Sequence, residues 1–236
     1  MATPPALFTV KVDCLACDQK FHTSRVRPSF KRAVKRDADF CLHYKDPSTN
    51  PDFYVVRVCP YCGFAFTENF EKKLVVKNMG KVQEKVTRNW KYRDYGTERS
   101  MQDALFVYKL ALYCGQLTDQ KPRVMAGLLH HIAWLYRYLE DEEQEKRFLE
   151  YALNEYVRVY ETEKNPVDNA KLLYLIGELN RRLKRYHEAV RYFTRVINDR
   201  SIMDSGIISL CREQWAVTRQ DMEAEKIGEP PEEEPV

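Results

Sequence analysis

Four cysteines form two pairs of equal spacing, a pattern typical of metal-binding proteins. Cys14 and Cys17 make the first pair, and Cys59 and Cys62 make the second, with 41 residues between the pairs. Each pair can place two thiolates on one tight turn, and two such turns complete a tetrahedral shell with bonds of about 2.3 Å. A closed four-sulfur shell leaves no open position for water. We therefore predict one structural zinc ion per chain.

A redox-active dithiol and an iron–sulfur cluster are the alternative interpretations of these cysteines. A redox dithiol would need only one Cys-x-x-Cys pair in a strand-helix context, whereas this chain has two pairs. Cys41, His22 and His43 could substitute as metal ligands. A single cysteine or histidine, however, is more often an ordinary packed or exposed side chain.

The segment between the two cysteine pairs is basic. From Lys20 to Arg36 it contains seven lysines and arginines and no acid, and Asp37 and Asp39 follow at once. Such a patch on a zinc module could contact the phosphates of a nucleic acid. A solvated turn whose cations pair with the following acids is the alternative, since few aromatic residues stand among the cations. The candidate nucleic-acid residues are Arg25, Arg27, Lys31 and Arg32.

The elements that must position these groups change character at residue 70. Residues 1–70 are rich in β-branched and aromatic residues, and residues 53–58 read as a strand that runs into Cys59. Residues 71–226 have helical periodicity, and residues 227–236 are acidic and rich in proline. We predict a small zinc-ribbon-like module with a long insertion, then a helical domain with a C-terminal capping helix, then a disordered tail.

Capping residues and prolines in the second segment predict where its helices begin and end. An apolar stripe from Val75 to Trp90 predicts the first helix, Ser100 is a candidate N-cap, and Pro122 opens a third helix. The acidic turn at residues 140–143 separates the third helix from the fourth. Further helices are predicted to begin at Asn165-Pro166, at about Tyr186 and at about Asp204, the last running to about Lys226.

The spacing of small and bulky residues resembles a degenerate tetratricopeptide repeat. Gly177 and Ala189 stand where two helices would cross, and Phe193 would fill the groove above them. A similar spacing recurs around Ile132 and Ala133, although Glu145 replaces the expected small residue. We predict a mainly α fold, a tetratricopeptide-like α-solenoid behind a small β-containing zinc module. An ordinary helical bundle without a functional groove is the alternative.

A repeat of this kind binds an extended peptide on its concave face. The positions that would face such a groove mix cations with aromatic residues, which suits a peptide with acidic residues and apolar anchors. These candidate groove residues are His130, Trp134, Arg137, Lys171, Tyr174, Glu178 and Arg181.

The order of motifs resembles a bacterial family known as domain of unknown function 2225. The resemblance is carried by both cysteine pairs, by Val26-Arg27-Pro28-Ser29, by Asp37-x-Asp39 and by Asn50-Pro51. Glu213-Gln214-Trp215 near the end extends it over nearly the whole chain. The resemblance implies a zinc-ribbon-like head on a tetratricopeptide-like body and supplies no activity. One departure is the first knuckle, which has Leu15-Ala16 and then Asp18 in place of proline and glycine.

Composition narrows the function classes. The 236 residues carry a net charge of +3, which is too mild an excess to require nucleic acid. No apolar run approaches the roughly 20 residues that cross a bilayer, and no signal peptide or phosphate-binding loop is evident. We predict a cytoplasmic, non-enzymatic adaptor for a protein or peptide partner, with no membrane and no small-molecule substrate. Nucleic-acid binding through the basic zinc module is the alternative function.

Overall fold

The computed structural model describes residues 4–162 and 169–228. The chain divides into two compact units, Met1–Phe148 and Leu149–Val236. The predicted boundary at residue 70 does not coincide with the boundary between these units. The physical reason is that the β-containing segment packs against the second helix and belongs to the same unit.

Three two-stranded antiparallel hairpins follow one another in the first unit. Each hairpin pairs strands that are adjacent in the chain, so no crossover connection is needed. The hairpins are β1 (Leu7–Asp13) with β2 (Lys20–Val26), β3 (Ala33–Arg36) with β4 (Leu42–Tyr44), and β5 (Arg57–Val58) with β6 (Ala65–Phe66).

Helices make up most of the remaining described residues, which confirms the predicted mainly α class with a small β-containing head. Short turns connect most successive helices. Over the described ranges the helices are α1 (Val76–Lys85), α2 (Met101–Leu117), α3 (Pro122–Tyr138), α4 (Glu142–Thr162), α5 (Asn169–Arg182), α6 (Tyr186–Asn198) and α7 (Ser205–Ala224).

The predicted strand over residues 53–58 is wrong for its first four residues. Asn50 accepts a hydrogen bond from the backbone N–H of Asp52, and Pro51 fixes the backbone for a 3-10 turn over Pro51–Tyr54. Only the two residues of β5 remain extended before Cys59. Cap chemistry therefore overrides the β propensity of this aromatic stretch.

The helix predicted from the stripe between Val75 and Trp90 is shorter than expected. α1 ends at Lys85, a 3-10 turn over Thr87–Asn89 follows, and Trp90 is extended. Trp90 leaves the helical path because it packs on the second cysteine knuckle, where its indole Nε1 donates to the carbonyl of Pro60 at 2.9 Å. A tertiary contact therefore decides where the helix ends.

The predicted helix starts at Ser100, Pro122 and Asp204 are confirmed. Ser100 and Asp103 form a reciprocal capping box, and the side chain of Asp204 accepts from the N–H of Ile207. Pro122 occupies the first turn of α3. The predicted cap at Asn165-Pro166 and most of the predicted tail lie outside the described residues.

Arg99 fastens the β-containing segment to the start of α2. Its buried guanidinium donates to the carbonyls of Phe53 and Val56, and its Nε donates to the carbonyl of Tyr95. Burial lowers the pKa of Arg99 to about 10. The three hydrogen bonds to backbone carbonyls offset part of the cost of burying its charge.

In the second unit, α5, α6 and α7 pack against one another. Gly177 on α5 lies directly against the ring of Phe193 on α6, and a Cβ atom at Gly177 would stand only 2.6 Å from Phe193 Cε1. Ala189 and Phe193 are fully buried. The predicted close crossing at Gly177 is therefore confirmed.

Hydropathy of the helices bears on membrane insertion. Within residues 4–162 and 169–228, no helix has both the length and the apolar character needed to cross a bilayer.

Two glycine substitutions within helices should have opposite effects on stability. Gly177→Ala should destabilise the protein by about 1–2 kcal/mol, because the new methyl group overlaps Phe193. Gly80→Ala, which meets nothing within 4 Å on α1, should stabilise it by about 0.5–1 kcal/mol. Urea unfolding followed by circular dichroism measures both. Equal stabilisation by the two substitutions would contradict the close crossing.

Candidate metal centre

The two cysteine pairs form turns with the same backbone pattern. In the first turn, the N–H of Asp18 donates to the carbonyl of Cys14, and the N–H of Cys14 donates to that of Gln19. In the second turn, the N–H of Gly63 donates to the carbonyl of Cys59, and the N–H of Cys59 donates to the carbonyl of Phe64. The two knuckles are thus structurally equivalent despite their different sequences.

Both knuckles need a residue in the left-handed region after the second cysteine. Gly63 supplies it with a φ of 74°, and Asp18 supplies it with a φ of 56°. Aspartate tolerates this conformation better than most residues with a side chain. The departure noted in the first knuckle therefore does not change the geometry of the turn.

The four sulfur atoms converge between the knuckles. Cys14 Sγ lies 3.6 Å from Cys62 Sγ, and Cys17 Sγ lies 3.7 Å from Cys59 Sγ. All four sulfurs lie within 4.8 Å of one another. Tetrahedral bonds of about 2.3 Å would place sulfurs about 3.8 Å apart, whereas a disulfide needs about 2.05 Å. The four predicted ligands are therefore positioned to bind a metal ion.

Burial and neighbouring groups fix the second knuckle. Gly63 is the only residue type that fits, since a Cβ atom there would stand 2.4 Å from the Trp90 ring. Thr87 donates its hydroxyl to the carbonyl of Cys62 at 3.1 Å. Segment 87–90 therefore covers this knuckle and holds its shape.

The crowded thiols influence one another's ionisation. Hydrogen bonds from neighbouring thiols lower the pKa of Cys59 to about 2, because they stabilise its thiolate. The same cluster raises the pKa of Cys14 to about 12 and also raises that of Cys62. A bound cation is the usual way for four such sulfurs to ionise together.

Cys41 and His43 do not join the four-sulfur cluster and lie together with Asp37 elsewhere in the same unit. His43 Nε2 is 2.8 Å from Asp37 Oδ2, and the thiol of Cys41 lies 3.4 Å from the hydroxyl of Tyr138. Burial disfavours the charge on Asp37, but hydrogen bonds from His43, Lys35 and Arg137 outweigh it and lower its pKa to about 2.

The groove assigned to α3 is corrected by the structure. Asp39, from the turn after β3, is fully buried. Its carboxylate accepts hydrogen bonds from Trp134 Nε1 at 3.0 Å and from Arg137 Nη2 at 2.7 Å. His130 Nε2 lies 3.2 Å from the same carboxylate and is itself buried. His130, Trp134 and Arg137 therefore contact the protein's own β3–β4 hairpin instead of lining an open groove.

Glu145, which stands where the repeat pattern expects a small residue, has a role in this network. Its carboxylate accepts from Arg137 Nε at 2.8 Å. Arg137 thus contacts Asp37, Asp39 and Glu145 together, and although burial disfavours its charge, Asp39 raises the pKa of the guanidinium above its usual range.

The groove residues assigned to the second unit are also corrected in part. Tyr174 and Glu178 are fully buried, and Arg181 pairs with Glu178 and Asp221. Lys171 is exposed. Tyr174 and Glu178 face the interior because Phe193 and the arginines of α5 surround them.

The predicted nucleic-acid residues do not form one free basic patch. Arg25 forms an ion pair with Glu68, and Arg27 donates its Nε to the carbonyl of Pro5 at 3.0 Å. Lys31 and Arg32 are exposed on the segment before β3. Arg25 and Lys31 line one shallow cavity, whose wall also includes Glu68.

The buried network around Asp39 is the feature that sequence reasoning missed. Its partners lie 91 to 98 positions away along the chain, so no local pattern connects them. The sequence signal that points to it is the pair Asp37-x-Asp39 after a basic run, for which the sequence suggested only ion pairs with the neighbouring cations.

Comparison with known proteins identifies a family for this chain. A model of the family described as "Uncharacterized protein conserved in bacteria (DUF2225)" matches residues 7–218. This span includes both cysteine pairs, the β3–β4 hairpin and most of α7, and it confirms the resemblance seen in the sequence. No curated protein and no solved structure matches the chain.

Proposed function

We propose that this chain, which belongs to that bacterial family, is a non-enzymatic adaptor that holds one structural zinc ion and binds a partner protein. The observation that carries the metal part is the convergence of four cysteine sulfurs at tetrahedral spacing. Four thiolates favour zinc or iron–sulfur clusters over hard cations. A four-iron cluster would hold its cysteine sulfurs further apart, because the cluster itself occupies the space between them.

Zinc in this position would serve as a cross-link. Its four sulfur ligands leave no open coordination position, so the ion would join the β1–β2 and β5–β6 hairpins without activating water. The seven cysteines are free thiols in the structure. Free thiol clusters persist in reducing compartments, so we place the adaptor in the cytoplasm.

Removing one ligand should release the metal. Purified wild-type protein should retain about one zinc ion per chain after gel filtration, and Cys62→Ser should lose most of it. Cys211→Ser is the matched control, because Cys211 is also buried but lies on α7. Elemental analysis together with protein concentration gives the ratio. Full zinc retention by Cys62→Ser would overturn the proposed zinc site.

The partner surface that the structure supports best lies on α6 and α7. Trp215 and Ile197 line a shallow depression together with Arg212. Trp215 is 36% exposed, the guanidinium of Arg219 lies over its ring at 5.7 Å, and Met203 nearby in the chain is 88% exposed. Aromatic and arginine side chains in this arrangement favour a peptide with an apolar anchor and acidic residues.

A tetratricopeptide-like origin of this surface is part of the proposal. The close crossing of α5 and α6 at Gly177 and Phe193 supports it, since small residues at the crossing are the signature of the repeat. We propose that α5 and α6 form one degenerate repeat and that α7 is its capping helix, with the partner bound on the α6–α7 face.

Partner capture should depend on Trp215. Affinity purification from the native bacterium with tagged wild-type protein should recover proteins that Trp215→Ala loses, by at least about fivefold in amount. Tyr113→Ala is the matched control, since Tyr113 is a similarly exposed aromatic residue on α2. Identical recovery by Trp215→Ala and wild type would remove the α6–α7 face from the proposal.

A second candidate function is single-stranded nucleic-acid binding at the surface of the second knuckle. Tyr61 and Tyr92 are 53% and 69% exposed, and their ring centroids lie 5.9 Å apart. Arg88 and Lys91 are exposed in the neighbouring segment. Exposed aromatic rings next to cations form stacking platforms for bases, and this pair is a better candidate than the partly neutralised patch around Arg25.

Salt dependence tests this second function. Binding of a fluorescent single-stranded oligonucleotide should weaken steeply as salt rises, and Tyr61→Ala with Tyr92→Ala should weaken it by about tenfold or more. The matched control Tyr113→Ala should bind as wild type does. The absence of binding at low ionic strength would eliminate nucleic acid as the ligand and leave the protein-adaptor proposal intact.

A further inference from the structure

One face of the β3–β4 hairpin brings together three different metal-binding side chains. Lys35 pairs with His43 across the hairpin, and the N–H of Asp37 donates to the carbonyl of Cys41 at 2.8 Å. Residues opposite each other in an antiparallel pair share a face, and so do alternate residues of one strand. The register therefore places Asp37, Cys41 and His43 on the same side.

The ligand atoms of these three residues are close enough for one ion. A carboxylate oxygen, a thiol sulfur and an imidazole nitrogen all lie within 4.8 Å of one another. Asp37 Oδ2 and His43 Nε2 are 2.8 Å apart, and a tetrahedral ion with bonds of about 2.0–2.1 Å would need them to separate to about 3.3 Å. Metal binding would replace the hydrogen bond between them.

Helix α3 holds this face in place from behind. Arg137 Nη1 donates to Asp37 Oδ2 at 2.9 Å, and the Tyr138 hydroxyl lies beside Cys41 and donates to the carbonyl of Leu42. The Tyr138 and His43 rings meet edge to face with centroids 5.9 Å apart. Outer contacts of this kind fix the orientation of metal ligands.

Ion pairs and exposure to solvent define the surroundings of this cluster. The ion-pair network around this face joins the carboxylates of Asp37, Asp39 and Glu145 with the cations of Arg137 and Lys35. Cys41 is fully buried and the Asp37 side chain is only 8% exposed, whereas the His43 side chain is 31% exposed. Solvent and ions therefore reach the cluster from the His43 side.

We propose that Asp37, Cys41 and His43 form a second metal site, which binds a divalent first-row transition ion through one oxygen, one sulfur and one nitrogen. Ligands of this mixed type select zinc, cobalt, iron or nickel over magnesium or calcium. Three protein ligands leave an open position for water, unlike the closed four-sulfur centre. On binding, the metal–sulfur bond forms, and the proton of the Cys41 thiol passes to solvent.

This site is independent of the proposed zinc cross-link and of the adaptor role. The ion it holds is exchangeable, because its coordination shell is incomplete and opens to solvent at His43. Its open position could accept a carboxylate or thiol from a partner or a small ligand, which the four-cysteine centre could not do.

Cobalt titration distinguishes the two sites. Full-length protein is first loaded with one equivalent of Zn²⁺, which thiolates hold more tightly than Co²⁺, and Co²⁺ is then added under anaerobic conditions. Wild type should bind a further equivalent, with a thiolate-to-cobalt charge-transfer band in the near ultraviolet. His43→Gln and Cys41→Ser should weaken this second binding by about tenfold or more.

His22→Gln and Cys211→Ser are the matched controls, since His22 is exposed on β2 and Cys211 is buried on α7. Both should bind the second equivalent as wild type does. His43→Gln keeps the proposal testable if Cys41→Ser fails to fold, as circular dichroism would show. The proposal is overturned if wild type binds no second equivalent, if the band is absent, or if His22→Gln and not His43→Gln abolishes binding.

Discussion

The buried ion pair between Asp39 and Arg137 is the interaction on which the arrangement of the first unit depends. Asp39 has no exposure to solvent. Its carboxylate forms hydrogen bonds with Arg137, Trp134 and His130, all on α3. Breaking such a pair costs about 3–5 kcal/mol, because the remaining charge stays buried without compensation. The β3–β4 hairpin is consequently fixed on α3 in one orientation.

The cysteine knuckles and this ion pair hold the same inserted segment at different points. Convergence of the sulfurs brings the flanks of the insertion together, and Arg137 anchors its middle to α3. Arg99 adds a third attachment through the carbonyls of Phe53 and Val56. A segment whose strands form only two-stranded hairpins is thus held in place by individual side-chain contacts.

These attachments separate the chemistry of the chain into distinct places. Trp90 and Thr87 support the four-sulfur cluster at its second knuckle, where they donate hydrogen bonds to the carbonyls of Pro60 and Cys62. The Asp37, Cys41 and His43 cluster is supported by α3 and opens to solvent through His43. The exposed aromatic residues proposed for partner recognition are Tyr61 with Tyr92, of which Tyr61 lies within the second knuckle, and Trp215 on α7.

The sequence by itself determined the features that depend on local chemistry. The spacing within each cysteine pair dictates its turn, Ser100 and Asp103 dictate the start of α2, and the small Gly177 marks the α5–α6 crossing. Only the tertiary structure decided whether the predicted groove residues of α3 face an open groove or the protein's own hairpin. Arg137 looked like a ligand-binding cation on an exposed helix face, but its partner Asp39 lies 98 positions earlier in the chain. Helical periodicity reports which face a residue occupies, whereas it carries no information about which distant side chain will neutralise it.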